Sequence, residues 1–172
     1  PPPTPPPTPP PTPPPTPPSS NTQWYQVIPV QTFDSSLGVF QAGKNVKITN
    51  KVVMKQLNSL KSVGITSNST TLSQMQTIGT YSVSNYWQLK VGFWYQSLST
   101  AAGDGFVVQI SSDNGLTWTT VRQYSRNTDW TSDSVWYNGT TEFAKPAGAQ
   151  WIKLRIATLI RSKGGLYFEN VG

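Results

Sequence analysis

The chain has 172 residues, no cysteine and no histidine, and carries a net charge of +6 from 13 basic and 7 acidic side chains. Without thiols there are no disulfides, thiolate metal sites or cysteine nucleophiles; without imidazole the commonest general base, the Ser-His-Asp triad and most transition-metal sites are excluded. Composition therefore points away from catalysis, and the positive charge points to contact with polyanions or simply to a soluble basic surface.

Residues 1–18 read PPPTPPPTPPPTPPPTPP and hold 14 of the 16 prolines. Proline fixes φ and supplies no N–H, so this tract predicts a polyproline II rod, roughly 56 Å long at about 3.1 Å per residue. Thr4, Thr8, Thr12 and Thr16 recur every four residues on a three-residue turn, so they spiral around the rod. Pro/Thr tracts of this kind are O-glycosylated stalks outside the cell or bare spacers between domains, and the four threonines are the candidate O-glycosylation sites. The chain begins without Met, which reads as a processed or truncated piece. No apolar stretch approaches the length of a membrane span, and no basic run resembles a nucleic-acid-binding arm, so neither a membrane span nor a nucleic-acid partner is expected.

Residues 19–172 form the second unit, one domain in size. Short period-2 apolar runs separated by turn residues predict strands near 24–33, 45–54, 60–66, 72–82, 86–96, 105–112, 116–124, 135–143, 150–159 and 165–171, with a helical turn as the alternative over 51–60. The clearest run alternates Trp87, Leu89, Val91, Phe93 and Tyr95 with Tyr86, Gln88, Lys90, Gly92, Trp94 and Gln96. Asp113-Asn114-Gly115 predicts a tight hairpin, and Gly103-Asp104-Gly105 and Gly164-Gly165 open strands. Eight to ten strands in this length suit an all-β, two-sheet antiparallel jelly-roll sandwich carrying an N-terminal polyproline II tail.

The run from Gly103 to Trp118, GDGFVVQISSDNGLTW, resembles the GD-x-F-x-V-x-x-S-x-D-G-G-x-x-W signature of MAM-like jelly-roll modules, which also occur beside carbohydrate-binding modules. Three further segments fall in the expected order: Phe33 to Gly38 as the opening strand, Leu89 to Tyr95 as the L-x-F-W-Y strand, and Tyr167 to Val171 as the closing one. The resemblance spans roughly residues 30–172 and implies the sandwich fold, with adhesion, glycan binding and structural packing all among the uses of that family. It also implies a structural calcium held by Asp34 with Glu169 and Asn170, although Asn170 replaces a carboxylate of the pattern and bonds to turn amides are the competing role. No other cofactor is expected.

The seven tryptophans divide between core and surface. Trp87 is expected to pack from the apolar side of its strand, and the resemblance implies the same for Trp118. Trp94 alternates with Gln88, Lys90 and Gln96, and Trp151 sits beside Lys153 and Arg155; both therefore read as glycan platforms, subunit interfaces or residues covered by loops. Trp130 and Trp136 lie in a loop between 124 and 137 and form the other candidate contact region. Asn68 and Asn138 open N-glycosylation sequons in expected loops. Asp129 with Asp133, or Asp104 with Glu142, could in principle form a glycosidase pair, but nothing in the sequence indicates a cleft.

These residues predict a non-catalytic extracellular or surface-exposed module, a structural or adhesive head on a glycosylated stalk within a fibril, matrix or coat. Its partners would be covalent or bound glycans and copies of itself or neighbouring surface proteins. Two alternatives stand beside this one: a carbohydrate-binding accessory module of a secreted hydrolase, and a minor coat protein of a large virus.

Overall fold

A computed structural model describes residues 23–50, 52, 54, 61–66 and 73–172. The tail with Thr4, Thr8, Thr12 and Thr16, the Asn68 sequon and most of the stretch 51–60 lie outside the described residues. Eleven strands follow in order: β1 (Phe40–Ala42), β2 (Val46–Thr49), β3 (Ser62–Thr66), β4 (Ser73–Thr77), β5 (Tyr81–Ser82), β6 (Gln88–Leu98), β7 (Gly105–Ser111), β8 (Thr119–Ser125), β9 (Trp136–Ala144), β10 (Trp151–Leu159) and β11 (Gly165–Glu169).

They pair antiparallel into two sheets. One runs β1-β4-β10-β7-β8, with β5 added against the start of β10; the other runs β2-β3-β11-β6-β9. This is the all-β jelly-roll sandwich. Inward residues from both sheets meet in one core, including Val63, Ile65, Met75, Val108, Leu154, Ile156 and Leu166. An aromatic group closes it: Phe106 stacks on Tyr124 at 4.6 Å, and Phe93 and Phe168 meet Phe106 edge-on at 5.7 and 5.1 Å. Edge-to-face and offset rings of this kind add packing energy beyond their buried area.

Several expected boundaries move. The segment expected to form a strand over 24–33 contributes only the bridge from Gln31 to Val171; Pro29, which has no N–H to give a ladder, lies within it. The run 72–82 splits into β4 and β5, which pair with different parts of β10, and β1 is an addition. The hairpin between β7 and β8 forms as expected. Asn114 and Gly115 take φ values of 60° and 91°, and the Asp113 carboxylate receives the Thr117 N–H at 2.9 Å.

Three tryptophans stand elsewhere than expected. Trp87 is 62% exposed: it precedes β6 at the end of the sandwich, beyond Leu89, where the core stops. Trp118 lies half-buried outside the core, its indole N–H donating to the Gly115 carbonyl at 3.1 Å and its ring covering the Arg155 guanidinium at 4.1 Å. Trp130 is only 1% exposed and belongs to the core. The chain before it turns back, with Asn127 at φ 70° and a bridge between Arg126 and Trp130, and this delivers the ring between Tyr95 and Phe106. Trp130 is therefore not a contact residue. The Asn138 sequon also lies within strand β9 and not in a loop.

Candidate functional site

Because β6 turns Leu89, Val91, Phe93 and Tyr95 into the core, its alternate residues Gln88, Lys90, Gly92, Trp94 and Gln96 form part of the outer face of the β2-β3-β11-β6-β9 sheet. Register fixes their neighbours. Trp94 lies between Glu169 of β11 and Asn138 of β9, and Gln96 lies between Tyr167 and Trp136. Trp94 and Trp136 are thus diagonal neighbours on one face, a placement within reach of each other's rings, and both are half-buried. Glu169 is fully buried beside them, Tyr167 and Gln96 are buried, and Asn138 is exposed.

The face continues toward the start of β6. Gly92 lies opposite Thr140, and a Cβ built on it meets nothing within 4 Å, so the floor is open there. Beyond it the Lys90 ammonium pairs with Glu142 at 3.3 Å across the strands and sits 5.2 Å from the centroid of the Trp24 ring. From Lys90 to Gln96 the strand rises about 20 Å at about 3.4 Å per residue. The result is a strip with indole surface at both ends, a glycine floor between, and amide and carboxylate groups alongside.

The other expected cluster lies on the outer face of the opposite sheet. Trp151 is 53% exposed and faces Ser82, Lys153 faces Ser111, and Arg155 lies between Gln76 and Gln109. Arg155 is already engaged: it donates through Nε to Gln109 at 2.8 Å and through Nη1 to Gln74 at 3.1 Å, under the Trp118 ring. Burial lowers its pKa. Its donors serve the sheet more than a ligand, so the structure separates the sequence candidates into two faces. Gln88, Lys90, Trp94 and Trp136 share one of them.

The acidic residues serve as anchors. Asp104 is buried and receives the Ala101 and Arg161 amides at 2.9 and 2.7 Å together with the Ser162 hydroxyl. Burial pushes its pKa up, but these donors outweigh that and hold it below the usual carboxylate value. Asp133 behaves likewise, burial being outweighed by the Ser97 and Thr100 hydroxyls at 2.6 and 3.1 Å and by Arg126. Asp129 binds Arg122 at 3.0 Å and the Ser125 amide at 2.8 Å, and Glu142 is paired with Lys90. A general acid needs the opposite shift, so neither Asp104 nor Asp133 is tuned for that role. Asp34 accepts the Lys61 amide at 3.3 Å, and among the described residues no group of three or more acidic side chains gathers as a metal site.

Sequence reasoning missed Tyr167, Glu169 and Asn138 as companions of Trp94. The signal was available: Tyr167 and Glu169 alternate with the core residues Leu166 and Phe168, which puts both on the outer face.

No protein-family model matches the chain, and no curated protein matches it by sequence. Solved structures share its fold. The C-terminal family 22 carbohydrate-binding module of Clostridium thermocellum Xyn10B, from work on residues in its ligand-binding cleft, is 13% identical with a TM-score of 0.60, over 90% of this chain and 94% of that one. The CBM22-1 xylan-binding domain of Paenibacillus barcinonensis Xyn10C is 11% identical with a TM-score of 0.59, over 85% and 92%. The K1 cleaved adhesin domain of Lys-gingipain from Porphyromonas gingivalis W83 is 17% identical with a TM-score of 0.58, over 83% and 94%.

Proposed function

We propose that the head is a non-catalytic carbohydrate-binding module that lays a neutral, hydroxyl-rich glycan along the outer face of β6. The observation that carries this reading is the gathering of Trp94, Gln96, Trp136 and Asn138 around the buried Glu169. Indole faces cover the C–H surfaces of a sugar ring, while amide and carboxylate groups bond its hydroxyls. The open floor at Gly92 leaves room for a chain running from Trp94 toward the Lys90–Glu142 pair and Trp24.

The fold shared with carbohydrate-binding modules supports the same reading, as does the engagement of the acidic residues as anchors. The setting that fits it is extracellular, with the Pro/Thr tract as a stalk or spacer and a secreted hydrolase as one context for such a module. Among the described residues no helix is long and apolar enough to cross a membrane.

Affinity electrophoresis and calorimetry against soluble xylan, galactan and β-glucans test the proposal. Retention of at least one polysaccharide is expected, and Trp94→Ala or Trp136→Ala is expected to weaken it at least tenfold with the melting temperature unchanged. Absence of binding to any of them at millimolar oligosaccharide, or loss in Trp151→Ala while Trp94→Ala binds normally, would refute it.

A further inference from the structure

Strand β11 ends at Glu169, opposite Trp94, and the chain gives β6 one more main-chain pair: Gly92 and Gly172 exchange N–H···O bonds of 2.9 and 3.1 Å. Main-chain groups facing a given edge recur every second residue, so Lys90 and Gln88 point their N–H and C=O groups toward the same side. No described residue pairs with them there. In place of a strand there is a cavity of about 500 Å³ between this edge and the segment 23–28. Its floor is apolar, formed by Leu89, Val91, Ile152 and Leu154, and its rim carries four aromatic rings: Trp24, Tyr25, Tyr86 and Trp87. Trp24, Tyr25 and Trp87 are 41%, 61% and 62% exposed, which is much apolar surface to leave at one end of a small domain.

A polyproline II segment matches this chemistry. Its pyrrolidine rings pack on aromatic side chains, it loses little conformational entropy on binding, and its carbonyls accept bonds from donors such as the Gln88 and Lys90 amides. It carries no charge, and the one lysine at the cavity is already matched by Glu142. The chain holds such a segment, residues 1–18, which joins the fold through 19–22 at Gln23, a residue of the cavity lining. The sequence predicts roughly 56 Å of polyproline II for this tract, far more than one such cavity can hold, which leaves most PPPT units for other molecules.

We infer that the aromatic-rimmed cavity takes the proline-rich tail of a second copy of this chain. Such a head-to-tail contact uses two different surfaces, so copies chain together, into rings where the rotation closes and filaments where it does not. The repeat offers several equivalent PPP stretches, so heads can dock at intervals along one tail. This goes beyond glycan binding, which uses the adjoining outer face; Trp87 belongs to the cavity alone.

Sedimentation of the full chain, made in a host that does not glycosylate it, tests the inference. Mass is expected to rise with concentration above the 18.9 kDa monomer, and free PPPTPPPTPPPTPPPTPP peptide is expected to reverse the rise. Trp87→Ala and, separately, Tyr25→Ala are expected to raise the dissociation constant at least tenfold with polysaccharide binding retained. Should either variant fail to fold, titration of the wild type with the peptide decides, the rim indole resonances being expected to shift. A chain that stays monomeric at every concentration, association untouched by the peptide, or a cavity that takes an oligosaccharide and not the peptide would each overturn it.

Discussion

Two glycines on neighbouring strands separate the proposed glycan floor from the core, and they make opposite predictions. Gly92 faces outward with nothing within 4 Å of a Cβ, whereas a Cβ on Gly139, its near neighbour on β9, would lie 2.2, 2.7 and 2.8 Å from three atoms of the Phe93 ring. Phe93 has little room to yield, since Phe106, Tyr124 and Phe168 surround it at 5.5–6.2 Å. Overpacking of this kind costs about 1–3 kcal/mol. At about 2–4 °C per kcal/mol for a domain of this size, Gly139→Ala is expected to melt roughly 2–12 °C lower. Gly92→Ala instead removes a strand glycine, a gain of about 0.5–1 kcal/mol and therefore roughly 1–4 °C. Gly92→Val keeps that sign, and its two methyl groups stand where the glycan chain would lie. Calorimetry is expected to give at least a tenfold loss of affinity, about 1.4 kcal/mol, from a protein more stable than wild type. If Gly92→Val binds the same polysaccharide with unchanged affinity, the ligand does not cross this floor; if it melts as low as Gly139→Ala, the outward placement of residue 92 is wrong.

Two further outcomes follow from single side chains. Asp104 and Asp133 both have pKa values lowered on folding, so their stabilisation is present above the ordinary carboxylate value near 3.8 and is lost as pH falls through the depressed folded values. Urea midpoints are expected to hold from pH 7 down to about pH 4 and then fall, and Asp104→Asn is expected to have a lower midpoint at pH 7 and a shallower fall; an unchanged midpoint at pH 7 would contradict the anchoring role. Asn138 opens a sequon on the binding face beside Trp94, so material from an N-glycosylating host is expected to lose polysaccharide binding and to regain it in Thr140→Ala, where mass spectrometry confirms that the glycan is gone.

Periodicity made the sheet faces legible and left their limits obscure. Alternation assigned Leu89, Val91, Phe93 and Tyr95 to the core and Lys90 and Trp94 to the surface, because side chains along a strand must alternate. The same alternation assigned Trp87 to the core, since it cannot say where the opposite sheet stops covering the strand. Trp130 failed for the converse reason: residues 126–130 have no strand period, and only the turn at Asn127 returns that ring to the interior. The site was half visible. Alternation along β6 puts Gln88, Lys90 and Trp94 on one face, but Trp136 reads as a loop residue, and only the pairing of β9 with β6 brings it there; nothing local sets Tyr167 and Glu169 beside them. Their position beside Trp94 depends on β11 lying between β3 and β6, a long-range pairing that no local pattern encodes. The aromatic cavity was invisible for a similar reason, being the space left where β11 stops short.

Among the described residues the basic charge, the first hint of a polyanionic partner, is not gathered on this face. Lys90 is neutralised by Glu142, Arg122 by Asp129 and Arg126 by Asp133, while Arg155 is held by two glutamines of the opposite sheet. Lys47 shares the outer face but stands on β2, beyond β3 and β11 from Gln96. What the described residues leave around Trp94 and Trp136 is amide and indole surface, with the Glu169 side chain buried beneath it. Amides both donate hydrogen bonds to sugar hydroxyls and accept them. The proposed neutral sugar chain would therefore be held by stacking and short-range hydrogen bonds, and its affinity is expected to change little between low and high salt.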